Sequence, residues 1–162
     1  MKGFKLRTPQ VPVILEMAKA WGANPTPLDI GELYLALKTG VVDGQENPIP
    51  TINAFKFYEA QKFIMLTGHI ITPLPMIINE RAWRKLSPEY QKIVMDAAQE
   101  ARELNNKLTL SQEDSFLANF KKAGMTVIQP DVEAFRKASI GAKEKLEGVW
   151  GKGLYEKIVN VK

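Results

Sequence analysis

Asp43, Glu46 and His69 are the residues of this 162-residue chain whose types could serve as acid and base around a small substrate. Nothing completes a catalytic set around them, because no nucleophile motif, phosphate loop or metal-ligand spacing accompanies them. His69 is the only histidine and there is no cysteine. Thiol redox chemistry, a cysteine nucleophile and a disulfide framework are therefore excluded, and a lone imidazole is no metal signature. The expectation is no cofactor, no metal and a structural use for His69, which leaves a small acid–base enzyme as the weakest reading. The loop Gly44-Gln45-Glu46-Asn47-Pro48 is more informative. It follows the apolar run Val41-Val42-Asp43, and in a parallel α/β sheet such a loop sits where ligand-binding groups are presented. Taken alone, Asn47 before Pro48 also suits a turn former, and Arg7 also suits a solvated strand-end arginine.

The elements that must position these residues repeat about every twenty positions as extended segment, turn and amphipathic helix, the pattern of a parallel sheet with helices on its faces. Phe4–Thr8 reads as a strand. Val11, Val13, Ile14, Met17, Ala18 and Trp21 fall at helical spacing before the helix-ending Gly22. The extended Asn24–Leu28 leads to a second helix, which Asp29 is expected to cap with Glu32 returning the bond, and which Gly40 closes. Val41–Asp43 reads as a buried strand and Pro50–Gln61 as a third helix. Phe63–Thr67 and His69–Ile78 read as extended, and Pro73 and Pro75 place the second at an edge or crossing position.

The second half differs in character. Ser87 caps and Pro88 starts a helix whose apolar positions Tyr90, Ile93, Val94, Ala97, Ala101, Leu104 and Leu108 keep helical spacing, with the pattern running on to Phe116, Leu117 and Phe120. At 1.5 Å per residue such a helix measures roughly 50 Å, longer than a small domain is wide, so it must bend, break or bridge two bodies. Met125–Ile128 then reads as a strand, Asp131 caps a helix to about Gly148, and Leu154–Val159 forms a last turn or two. Trp21, Trp83 and Trp150 lie on amphipathic faces and read as core.

Composition narrows the function classes. A content of 45% hydrophobic and 25% charged residues is that of a globular domain. The net charge of +4 is spread among acidic residues without a basic stripe, so nucleic acid is not the indicated partner. The apolar stretch Phe63–Ile78 is interrupted by polar residues and prolines and is too short for a membrane span. Met1–Lys5 lacks the features of a signal peptide, so the expectation is either a cytoplasmic protein or one whose front end is missing.

Lys5-Leu6-Arg7-Thr8-Pro9, Gly22-Ala23-Asn24-Pro25-Thr26-Pro27, the run Gly31 to Pro48 and Lys56-Phe57-Tyr58-Glu59 together resemble the signature block of DctP-type solute-binding proteins of TRAP transporters. The resemblance covers most of residues 3 to 120 and is most specific from Glu32 to Pro48. It implies a periplasmic-binding-protein-like α/β fold, a three-layer lobe with a mostly parallel sheet plus a long helix that bridges to a second lobe. Family proteins are about twice as long, with a signal peptide and an N-terminal lobe ahead of the position of Met1. On this reading residues 1–72 and 113–162 form the ligand-binding C-terminal lobe, and residues 73–112 contribute a crossover strand and long helix to the other lobe's side.

The implied function is a periplasmic receptor that captures a small organic acid for TRAP transporter membrane subunits. Arg7 would hold the ligand carboxylate through its planar two-donor fork, and Asn47 would donate a hydrogen bond. Pro9, Ile30 and Gln45 complete the candidate ligand-binding set. Gln45 and Glu46 chiefly shape the loop. Ile30 stands where family members often place an aromatic side chain, a departure from the sialic-acid-type pocket, and Ile30 also suits a core residue at the helix entry. The alternative is an interaction module, in which Ile70–Ile78 and Ile93–Leu108 expose apolar residues that drive a homo-oligomer or domain-swapped dimer.

Overall fold

The structure, a computed structural model, describes residues 1–71 and 73–161. Three strand–helix units open the chain. β1 (Lys5–Thr8), α1 (Pro12–Ala20), β2 (Asn24–Pro27), α2 (Ile30–Lys38) and β3 (Gly44–Gln45) build a parallel sheet in the order β2-β1-β3, with Lys5 level with Asn24 and Leu6 level with Gly44. α3 (Ile49–Ala54) and a 3-10 turn (Phe57–Glu59) lead to β4 (Phe63–Met65). After α4 (Glu80–Trp83) and α5 (Pro88–Lys122), β5 (Thr126–Ile128) returns to pair with β4, again in parallel. α6 (Val132–Trp150) and α7 (Leu154–Val159) end the chain. The described strands are thus all parallel, as the repeating units predict, but among the described residues they form two sheets rather than one.

Two apolar clusters hold these pieces. The larger joins Leu33 and Leu37 of α2, Val42, Ile52 of α3, Phe57, Ile64 of β4, Phe120 of α5 and Met125, with Phe57, Leu33 and Phe120 wholly buried. The smaller joins Leu6, Ala18, Trp21 and Ala23, with Phe135 of α6 meeting Trp21 edge-on at a ring separation of 5.1 Å. Trp21 also donates through Nε1 to Ser139 Oγ at 2.8 Å, which ties α1 to α6. Trp21 is core as expected, whereas Trp83 and Trp150 are only half-buried.

Local chemistry departs from the sequence expectations in four places. Val41–Asp43 is not a strand: Gly40, at φ +72°, turns the chain so that Val42 plugs the larger core while Val41 stays exposed, and the ladder begins only at Gly44. The helix expected over Pro50–Gln61 stops at Ala54, because Lys56 adopts a left-handed conformation, which lets Phe57 enter the core beneath Phe55. Asp29 makes no side-chain cap, and α2 starts instead with the Glu32 N–H donating to the Asp29 carbonyl. His69–Ile78 forms no strand among the described residues, and Thr72 lies outside them. Ser87 and Asp131 do cap α5 and α6, accepting from the Tyr90 and Ala134 amides.

α5 is one helix of 35 residues, and at 1.5 Å per residue it extends about 50 Å. It neither bends out of helix nor breaks. Only its last turns, through Phe116, Leu117 and Phe120, join the core; Ile93, Leu104 and Leu108 stay exposed along its length.

Candidate functional site

Arg7 sits near the end of β1, the central strand of the three-stranded sheet, so the chain after each parallel strand lies beside it. Pro9 follows β1, Leu28 and Asp29 follow β2, and Glu46 and Asn47 follow β3. Open parallel sheets present ligands at this carboxyl edge. The Arg7 residue is 5% exposed, and its Nε donates to the Leu28 carbonyl at 2.8 Å. That bond fixes one edge of the guanidinium. The two terminal nitrogens donate to no other described residue, and Arg7 makes no ion pair within 4.0 Å among the described carboxylates. Burial lowers its pKa from the ordinary value, and the more distant charges of Glu46 and Asp29 act in the opposite direction. An unpaired buried cation is costly, so this arrangement suits an anion that arrives from outside.

The loop after β3 is internally braced. Asn47 Nδ2 donates to Gln45 Oε1 at 2.6 Å, and Gln45 Nε2 donates to Gln61 Oε1 at 3.2 Å. Asn47 is thereby oriented by its neighbour, with its carbonyl oxygen and second amide hydrogen left for other partners. Gln45 braces the loop, in keeping with a shaping role. Ile30 opens α2 and packs, half-buried, against the larger core. Pro9 is half-buried, and its carbonyl accepts from the Val11 amide in the turn before α1. A Cβ at Gly44, at the base of the loop, would stand 2.7 Å from Phe4 Cζ, so a larger residue there requires the Phe4 ring to shift.

Glu46 and His69 meet although 23 positions apart, with His69 Nε2 3.5 Å from Glu46 Oε2. The other ring nitrogen stands 2.6 Å from Thr67 Oγ1, and the ring lies edge-on to Trp21. The buried Nε2 makes no hydrogen bond of good geometry. Sequence reasoning placed Glu46 in the loop and gave His69 a structural use, and no local pattern paired them. The Leu28 carbonyl was equally invisible, since every residue type carries that group. Among the described residues no cluster of acidic, histidine or cysteine side chains could hold a metal ion.

Residues 1–147 match the family described as bacterial extracellular solute-binding protein, family 7. The chain belongs to this family. It is 44% identical over 137 residues to the sialic acid-binding periplasmic protein of Vibrio cholerae, covering 85% of this chain and 43% of that protein. It is 39% identical over 139 residues to the 2,3-diketo-L-gulonate-binding periplasmic protein of Escherichia coli, covering 85% and 42%. Among solved structures, a TRAP periplasmic solute-binding protein from a Polaromonas species bound to D-erythronate superposes with a TM-score of 0.86 at 39% identity, covering 99% of this chain and 54% of that one. The chain thus spans about half the length of these family 7 relatives. The family consists of solute-binding proteins rather than enzymes, and no described helix is long and apolar enough to cross a membrane.

Proposed function

We propose that this chain is the carboxylate-holding part of a periplasmic receptor, which captures a small organic acid, releases it unaltered and serves the membrane components of a TRAP-type transporter. Arg7 carries the reading. Its guanidinium is buried, held at Nε by the Leu28 carbonyl and otherwise unpaired among the described residues, so its two terminal nitrogens are available as a fork for one carboxylate. Asn47, steadied by Gln45, adds a hydrogen bond, while Pro9 and Ile30 supply apolar wall. The relatives' ligands, sialic acid, 2,3-diketo-L-gulonate and D-erythronate, are all acids or their anions. Residues 1–72 and 113–162 act as the ligand lobe, and residues 73–112 reach toward a second lobe. The sparse packing of α5 before Phe116 favours this division.

The test is calorimetric titration of D-erythronate, L-galactonate, galacturonate and sialic acid into the wild-type chain and into Arg7→Lys and Asn47→Ala. Heat from at least one acid, lost or sharply weakened in both variants, is the expected result. Equal affinity in wild type and Arg7→Lys removes Arg7 from the site, and chemical conversion of any acid restores an enzyme reading.

A second reading is favoured by exposed apolar side chains. Leu74, Met76 and Ile77 are 83%, 71% and 90% exposed, and contiguous apolar surface of this kind is uncommon on soluble monomers. Self-association through residues 73–78 and the apolar stripe of α5 covers it. Light scattering at tens of micromolar should find a dimer or larger species, and a stable monomer refutes this reading.

A further inference from the structure

The segment that anchors Arg7 also carries a carboxylate without a partner among the described residues. Leu28 is tied twice to β1: its amide donates to the Thr8 carbonyl at 3.3 Å, and its carbonyl accepts from Arg7 Nε at 2.8 Å. Asp29 is the next residue, so those two bonds hold its backbone beside the guanidinium. Asp29-Ile30-Gly31-Glu32 has the form of a capping box, in which the first carboxylate serves the helix amides and the second returns the bond. The box is not made. Asp29 occupies the N-cap position of α2 with an extended backbone, φ −63° and ψ 146°, yet its side chain accepts no amide, and the Glu32 amide donates instead to the Asp29 carbonyl at 3.2 Å. Among the described residues the Asp29 carboxylate has no side-chain hydrogen bond and no cation within 4.0 Å. The side chain is exposed, and a Cβ built on Gly31 would meet no atom within 4 Å, so there is room beside the helix start.

Glu46, the other carboxylate at this edge of the sheet, is differently placed, since it faces His69 Nε2 at 3.5 Å. The charges that act on Arg7 are these two, both negative. An acid seated on Arg7 is therefore met by one cation and, beside it, by the uncommitted carboxylate of Asp29. An ionised carboxylate only accepts hydrogen bonds. A ligand hydroxyl satisfies it, a methylene does not, and a second ligand carboxylate is repelled. We propose that Asp29 is a specificity-determining residue of this site, which accepts a hydrogen bond from a hydroxyl of the bound acid and rejects acids that carry a second carboxylate. The class it selects is singly charged, hydroxylated acids. This role rests on the assignment of Arg7 as the carboxylate holder. Because Asp29 is exposed, water and salt screen its charge, and its effect is a preference rather than an absolute exclusion.

D-erythronate, butyrate and succinate share a four-carbon chain and differ in hydroxyls and charge. Each is titrated near neutral pH into the wild-type chain, Asp29→Ala, Asp29→Asn and Arg7→Met, with amide chemical shifts as the readout so that millimolar binding is measured. Wild type should prefer D-erythronate to both other acids by at least about fivefold. Asp29→Ala should bring D-erythronate down to the affinity of butyrate. Asp29→Asn keeps a carbonyl acceptor without the charge, so it should retain most of its D-erythronate affinity and bind succinate at least about fivefold more tightly than wild type does. The melting temperature of Asp29→Ala should match wild type, because no cap is lost. A fall of the size that follows loss of an N-cap assigns Asp29 to the helix and overturns the proposal. An unchanged D-erythronate-to-butyrate ratio in Asp29→Ala, or unchanged succinate affinity in Asp29→Asn, also overturns it, and loss of binding in Arg7→Met then leaves the carboxylate site standing. Binding that survives Arg7→Met, or no binding by any of the three acids, removes both.

Discussion

Replacing Arg7 with methionine separates a ligand-holding arginine from a structural one. The substitution removes the Nε bond to the Leu28 carbonyl, a charge-assisted interaction that contributes about 1.5–3 kcal/mol. It also removes a buried guanidinium whose desolvation costs several kcal/mol, and methionine fills much of the same space. The two terms oppose each other, so the ligand-free protein should change in stability by no more than about 1 kcal/mol, or about 2–4 °C in Tm for a chain of this size. Had Arg7 been half of a buried ion pair, its loss would cost about 3–5 kcal/mol and roughly 10 °C. A binding acid adds the second arm: at a hundred times its Kd it stabilises wild type by about 2.7 kcal/mol, and Arg7→Met should lose that increment. The assay is a thermal melt with and without the acid that binds wild type by calorimetry. A fall of about 10 °C without ligand, together with a retained ligand-induced rise, refutes the argument that the Arg7 charge is kept for an incoming anion.

Phe57→Ala should cost about 3–5 kcal/mol by urea denaturation, because the ring is wholly buried in the larger cluster and leaves a cavity there. Gly44→Ala should cost about 1–3 kcal/mol from the 2.7 Å approach of its Cβ to Phe4, and Phe4→Leu in the same chain should recover part of that loss. Hydrogen bonds from Lys19 and then Lys145 lower the Glu16 pKa in the folded state. Its contribution is therefore present above the unfolded carboxylate pKa and is lost as pH falls through the lower folded value. Glu16→Gln should accordingly flatten the acid limb of the Tm-versus-pH curve, and an unchanged limb would show that the bridge from α1 to α6 does not contribute.

Elements whose signal is local were legible in the sequence. The 3.6-residue spacing from Val11 to Trp21 and from Tyr90 to Phe120, the caps at Ser87 and Asp131, and the repeating strand–helix units each depend on residues within a few turns of one another. The resemblance of the Arg7 and Asn47 segments to the DctP-type signature belonged to the same level, and the family assignment bears it out.

What the sequence left open depends on partners far along the chain. A run of two valines reads as a strand until a glycine turn sends one of them into a core built by α2, α3 and α5. Pro50–Gln61 reads as one helix because nothing local announces that the larger cluster will draw Phe57 inward at a left-handed Lys56. Asp29 looks like a cap, yet only the backbone of α2 supplies the bond. The sequence by itself determined the long helices, the repeating strand–helix order and the family they belong to, since those properties follow from short-range periodicity and motif. The tertiary structure alone decided that the Leu28 carbonyl anchors Arg7, that Glu46 meets His69, and that β3 and β4 stand apart around a cavity. Each of these is a contact, or a missing contact, between groups brought together by packing, and no spacing rule encodes it.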